Sequence, residues 1–174
     1  MEKLTVPRLN LFNEVWIIIK DGDISALNLF NRHYSKYHYK DGRKPNRFVG
    51  PGERVVLITA DGKALFVWRK FRDASGQHGI NCAIFRNESD YTSSYLINEA
   101  VKIAWERWPN ERLYTYVNAK KIKSVNPGYC FKVAGWKYCG ITKTRKLIIL
   151  EKNPNGFAEA GGKFLKTVQT TKFD

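Results

Sequence analysis

The 174 residues include only three cysteines, Cys82, Cys130 and Cys139, and no C-x-x-C pair. An odd, scattered set gives no disulfide framework and fits a reducing cytoplasm. Cys82 and Cys130 read most simply as small buried hydrophobes. Histidine is as rare, at three residues. His33 and His38 lie five apart, a poor metal signature, so no metal is expected. Long apolar runs are missing too. The longest, Val15-Trp16-Ile17-Ile18-Ile19, is far short of the ~20 residues of a membrane helix and reads as a buried strand. The first ten residues lack the apolar core and cleavage site of a secretion signal. The largest deficit is acid: 16 Asp and Glu stand against 30 Lys and Arg, for a net charge of +14. Such an excess attracts polyanions, and nucleic acid is the leading partner class. A solvated basic surface without a partner is the alternative. No basic helix with an apolar face stands out, so no membrane partner is expected.

What is present is enough for one core: 43% of the residues are hydrophobic and 14% aromatic. Residues 15–20 form the first expected strand. A helix follows, with Asp23 as N-cap and Ile24, Leu27, Phe30 and Tyr34 at helical spacing. "RVVLITADGKALFVWRKF" reads as two strands joined by a type I′ turn at Asp61-Gly62. "INCAIFRN" is a further strand. The next helix starts at Ser93 or Ser94 and carries a stripe of Leu96, Ile97, Ala100, Val101, Ala104 and Trp108. "RLYTYVN", the short helix "GYCFKVAG" with Gly135 at its C′ position, "WKYCGIT" and "KLIILEK" complete the order. The class is α/β (α+β), a mixed, mostly antiparallel sheet flanked by helices in the order β-α-β-β-β-α-β-α-β-β. One domain is expected over residues 1–152. A polar tail over 153–174 follows, in which Phe157, Phe164 and Leu165 offer a means of docking.

Several residues invite a functional role beside a structural one. His33 ends the first helix, as a base facing a site or as a cap on free carbonyls. Residues 35–54 form a long loop, and from Tyr34 just before it the aromatics Tyr34, Tyr37, Tyr39 and Phe48 interleave with Lys36, Lys40, Arg43, Lys44 and Arg47. Cations on phosphates and rings on bases suit a nucleic-acid surface; tyrosines covering the core beneath solvated lysines are the alternative. Lys120, Lys121 and Lys123 sit at a strand end, where ligands of open α/β sheets gather. Arg86 ends a buried strand, either gripping a ligand or capping the sheet. Tyr129 opens the short helix, with its hydroxyl toward a site or its ring in the core. "KTRK" at 143–146 reads as a charged hairpin turn that blunts association.

The element order, with the frame "VNAKKIKSVNPGYCFKVAGWKYCG", resembles the GNAT acyltransferase superfamily from about residue 15 to residue 151. Two positions depart from it. "FRNESDYTSSYL" lacks the glycines of the family's pyrophosphate loop, and Phe131 stands where a tyrosine often protonates the leaving thiolate. A narrower resemblance is to the phage Mom family of DNA-modification proteins. It rests on His33-Tyr34-Ser35, Arg86, Ser94, Asn118 and "NPGYCFKVAGWKYCG" in order. That resemblance implies a cytoplasmic anti-restriction transferase acting on the exocyclic amine of adenine in bacteriophage DNA, as in Mom-like carbamoylmethylation. It implies a site of His33, Tyr34, Arg86, Asn118 and Tyr129. DNA would be held by Ser35, Lys40, Arg43, Lys44, Arg47, Ser94, Lys120, Lys121 and Lys123. The donor stays open: acetyl-CoA is the wider family's donor, but its pyrophosphate-loop signature is absent. The alternatives are an acyl-CoA-dependent N-acyltransferase for a small amine or protein lysine, and a non-catalytic nucleic-acid-binding module.

Overall fold

Alternation and helical spacing become strands and helices in the computed structural model, which describes residues 15–154 except 45 and 73. In chain order the elements are β1 (Trp16–Ile19), α1 (Ile24–Asn31), β2 (Glu53–Thr59), β3 (Ala64–Lys70), β4 (Ile80–Asn87), α2 (Ser93–Arg107), β5 (Leu113–Val117), α3 (Tyr129–Val133), β6 (Lys137–Ile141) and β7 (Ile148–Lys152). The strands make one open sheet in the order β1-β2-β3-β4-β5-β7-β6. All neighbours are antiparallel except β4 and β5. The mixed, mostly antiparallel α/β class expected from the sequence is present. Nearly all of the tail expected over 153–174, with Phe157, Phe164 and Leu165, lies outside the described residues.

Helices cover both faces of the sheet centre, so β2 and β3 are buried on both sides and read as continuous apolar runs. One face packs Leu57, Phe66 and Trp68 against the whole expected α2 stripe, Leu96, Ile97, Ala100, Val101, Ala104 and Trp108. The other packs Val56, Leu65 and Val67 against Ala26, Leu29 and Phe30 of α1. Two indoles fasten α2 to the sheet. Trp16 Nε1 donates to the Leu96 carbonyl and Trp68 Nε1 to that of Ala100, each at 2.9 Å.

Four local expectations change. The strand expected to be buried, β1, lies at the sheet edge, with Trp16 buried but Ile17 47% and Ile18 66% exposed. Asp23 caps α1, accepting from the Ser25 and Ala26 amides, but Ile24 is 77% exposed. The helix turns Ala26, Leu29 and Phe30 inward because Phe48, from the loop before β2, stacks on Phe30 at 5.0 Å and completes that face. Thr92, rather than Ser93 or Ser94, stands at the N-cap position of α2, and its side chain makes no capping hydrogen bond. The β2–β3 turn is not type I′, which needs positive φ at two residues; only Gly62, at +68°, has it. Asp61 stabilises a four-residue turn instead, residues 60–63, accepting from the Thr59 hydroxyl at 2.6 Å and the Lys63 amide at 3.0 Å. The end of α3 is as expected. Gly135 has φ +84°, and the Gly135 and Trp136 amides donate to the Lys132 and Phe131 carbonyls in a Schellman arrangement.

A bulge in β4 sets up the site. Val67 pairs with Ile84 and Trp68 with Cys82, so Ala83 has no partner on β3. The extra residue moves the strand's side chains to the opposite face. Ile80 and Cys82 join the α2 side, whereas Ile84 joins the α1 side. Trp68→Phe should lower stability by about 2 kcal/mol through the lost indole bond and the space left beneath α2. Urea unfolding should show a lower midpoint with an unchanged slope; an unchanged midpoint refutes the anchoring role.

Candidate functional site

Strands β4 and β5 pair over only three rungs, Ile80 with Leu113, Asn81 with Tyr114 and Cys82 with Thr115. The Thr115 hydroxyl donates to the Cys82 carbonyl at 3.0 Å on the last rung. Beyond it the strands part, and a cleft of about 320 Å³ lies between them, within the ~300–1,000 Å³ range of small-ligand sites. Ala83 and Phe85 line it from β4, Tyr116 and Val117 from β5, and Tyr129 and Cys130 from α3. Gly128 lets α3 approach: its φ is +77°, and a Cβ there would lie 2.7 Å from Leu150 Cδ1.

His33 and Tyr34 close the cleft from the turn after α1. Their rings stack at 4.4 Å. His33 is buried, and both ring nitrogens are engaged. Nδ1 accepts the Ser35 amide at 3.2 Å and meets the Ser35 hydroxyl at 2.7 Å, so the neutral ring carries its proton on Nε2, and the ring is bonded to the Phe85 backbone. Burial, and then the Arg86 charge, lower its pKa to about 4. His33 is therefore neutral at pH 7 and orders the turn. The Tyr34 phenol extends toward the Cys82 and Cys130 sulfurs and accepts the Asn118 amide; burial raises its pKa, so it stays protonated. With the oxygen accepting, its O–H is left to donate into the cleft.

Around this centre the expected residues separate into groups. Asn118 ends β5, where its amide meets Tyr34 and its side chain accepts the Lys120 amide at 3.1 Å. Lys121 Nζ reaches the Tyr34 carbonyl at 3.4 Å, and Lys123 is exposed on the same turn. Arg86 does not line the cleft. Its Nη1 donates to the Arg32 carbonyl at 2.6 Å, closing the end of α1, and its Nε to Glu88 at 2.6 Å. Arg32 grips the same carboxylate with two bonds, of 2.8 and 2.7 Å. The Arg32 and Arg86 bonds hold the Glu88 pKa at about 2. Ser94 lies on the first turn of α2 and does not line the cleft. Arg47 lines a separate depression beside β1 and β2. Lys40, Arg43 and Lys44 are exposed on the loop before β2, with Arg43 paired to Asp41 at 3.0 Å and lying over Tyr39. Thr115 and Tyr116 belong to this region and carried no local sequence signal. Strand threonines and tyrosines look alike until pairing shows which end beside a gap.

Comparison with family models, curated proteins and solved structures returns no match.

The His33 environment sets a pH dependence. Between pH 6.5 and 4 the unfolded chain binds a proton that folded His33 refuses. Stability is therefore full above pH 6.5 and falls as the pH drops toward 4, by up to about 3 kcal/mol. Glu88, with its carboxyl held low, adds a further loss only below pH 4.5. In urea titrations across pH 7 to 4, His33→Gln should flatten the profile. A variant as steep as the parent would show that the ring is not held neutral.

Proposed function

We propose that the protein is a transferase of GNAT-like architecture that modifies the exocyclic amine of adenine in DNA, in the manner of the phage Mom proteins. The observation that carries this is the cleft between β4 and β5, where His33, Tyr34 and Tyr129, remote in sequence, meet; Asn118 does not line it but bonds Tyr34 through its backbone amide, beside Lys121. A base inside a duplex is out of reach, so the adenine is flipped into the cleft. Tyr34 and Tyr129 supply rings for it to lie against. The amine nitrogen bonds to an electrophilic carbon of an activated donor as that carbon's bond to its leaving group breaks; the leaving group takes the bonding pair, and the amine sheds an N–H proton to solvent. Among the described residues no Asp or Glu lines the cleft, and His33 has both nitrogens engaged. Proton transfer falls to water or the tyrosine hydroxyls, and the Tyr34 O–H stabilises charge developing on the donor.

The segment before α2 does not favour the acyl-CoA alternative. It has no glycine, and Asn87 fixes it by donating to the Tyr91 carbonyl at 2.8 Å and the Ser93 hydroxyl at 3.1 Å. No glycine-lined cradle for a coenzyme diphosphate is present among the described residues. In cells producing the protein, mass spectrometry of digested DNA should reveal a new deoxyadenosine derivative. Tyr34→Phe, which keeps the stacked ring, should reduce it at least tenfold. An unaltered nucleoside profile, or micromolar coenzyme A binding with acylation of a small amine, rejects the proposal.

A further inference from the structure

From Arg112 to Leu150 the chain has nine Lys and Arg and no Asp or Glu. The fold gathers this segment into one half of the sheet, β5, β7 and β6 with α3. Of the nine cations only Arg112 has a carboxylate partner among the described residues, Glu151. Lys120, Lys121, Lys123, Lys132, Lys137, Lys143, Arg145 and Lys146 are all exposed.

Strand pairing shows where the charged hairpin turn at 143–146 goes. Ile148, at the start of β7, pairs with Val117, the last residue of β5 and a wall of the cleft. Ile141, at the end of β6, pairs with the same Ile148. The hairpin carrying Lys143, Arg145 and Lys146 therefore leaves the sheet at the end where the cleft opens, beside the 118–126 turn. Lys146 is held at φ +56°, and the Lys146 amide donates to the Thr142 carbonyl at 3.2 Å, which gives the tip a defined form. The other half of this end carries Asp61, Glu88 and Asp90 at the tips of β2 and β4. Arg32 and Arg86 on Glu88, with Lys63 beside Asp61, balance these carboxylates, so the excess of cations at this end lies on the β5–β7–β6 half, which is the path.

We propose that the β6–β7 hairpin and the turn after β5 form one continuous surface for the duplex DNA backbone, leading to the cleft. Lys143, Arg145 and Lys146 bind phosphates together with Lys120 and Lys123. The loop before β2, richer in aromatics, is not the main contact. This rests on the proposed DNA substrate but concerns a different property, the path of the backbone.

The test is binding of a fluorescent duplex at several salt concentrations. Each phosphate contact contributes about −0.9 to the slope of log affinity against log salt. The triple variant Lys143→Gln, Arg145→Gln, Lys146→Gln should bind at least tenfold more weakly at low salt, with a slope shallower by about two to three. Lys40→Gln, Arg43→Gln, Lys44→Gln should change it by less than one. A hairpin variant with the parent's slope, or a larger loss in the loop variant, overturns the surface. Tighter binding to acidic lipid vesicles than to DNA overturns it as well. A modified nucleoside without hairpin-dependent binding leaves the proposed activity standing and removes this surface. Hairpin-dependent binding without a modified nucleoside does the reverse.

Discussion

The last paired rung between Cys82 and Thr115 is the constraint on which the site depends. Two parallel strands that continued to pair would leave a closed sheet with nothing to enter. Here β4 spends Ala83 in a bulge and turns its following side chains over, while the Thr115 hydroxyl takes the Cys82 carbonyl. Each strand then finds other partners. β4 stays with β3 out to Asn87, and β5 stays with β7 out to Val117. The gap is stable because each strand keeps one complete ladder and only the shared edge is given up.

Electrostatics hold the mouth of that gap in one shape. Glu88, gripped by Arg32 and Arg86, ties the end of α1 to the end of β4. Ion pairs this exposed contribute little stability singly; their value lies in the geometry of a shared, bidentate carboxylate. The same Arg86 charge adds to burial in keeping His33 neutral. A neutral ring can accept from Ser35 and bond the Phe85 backbone at once, and Tyr34 stacked on it is aimed between the strands. The histidine is thus a positioning residue, and the tyrosine it orders is the group that faces the cleft.

Charge is divided across the molecule as unevenly as structure. Carboxylates and their partners concentrate on β1 to β4, the adjoining loops and α2, while the β5–β7–β6 half carries cations with almost none. Self-repulsion in that half is a standing cost, and a polyanion relieves it. The cleft lies on the boundary between the two halves.

The sequence by itself determined much of the scaffold. Periodicity placed each strand and helix within a few residues, because burial of an apolar stripe is written locally in the spacing of Leu96 to Trp108 or in the run of β4. It also singled out His33, Tyr34, Asn118 and Tyr129, though not their roles. It misjudged the Asp61-Gly62 turn and the buried face of α1. The latter depends on a long-range partner, Phe48 against Phe30. Only the tertiary structure decided that β4 bulges, that β5 parts from it, that Arg86 braces α1, and that distant lysines share one end of the sheet. A residue's neighbours in the chain fix its periodicity; its neighbours across a sheet fix which way it points and what charge it meets.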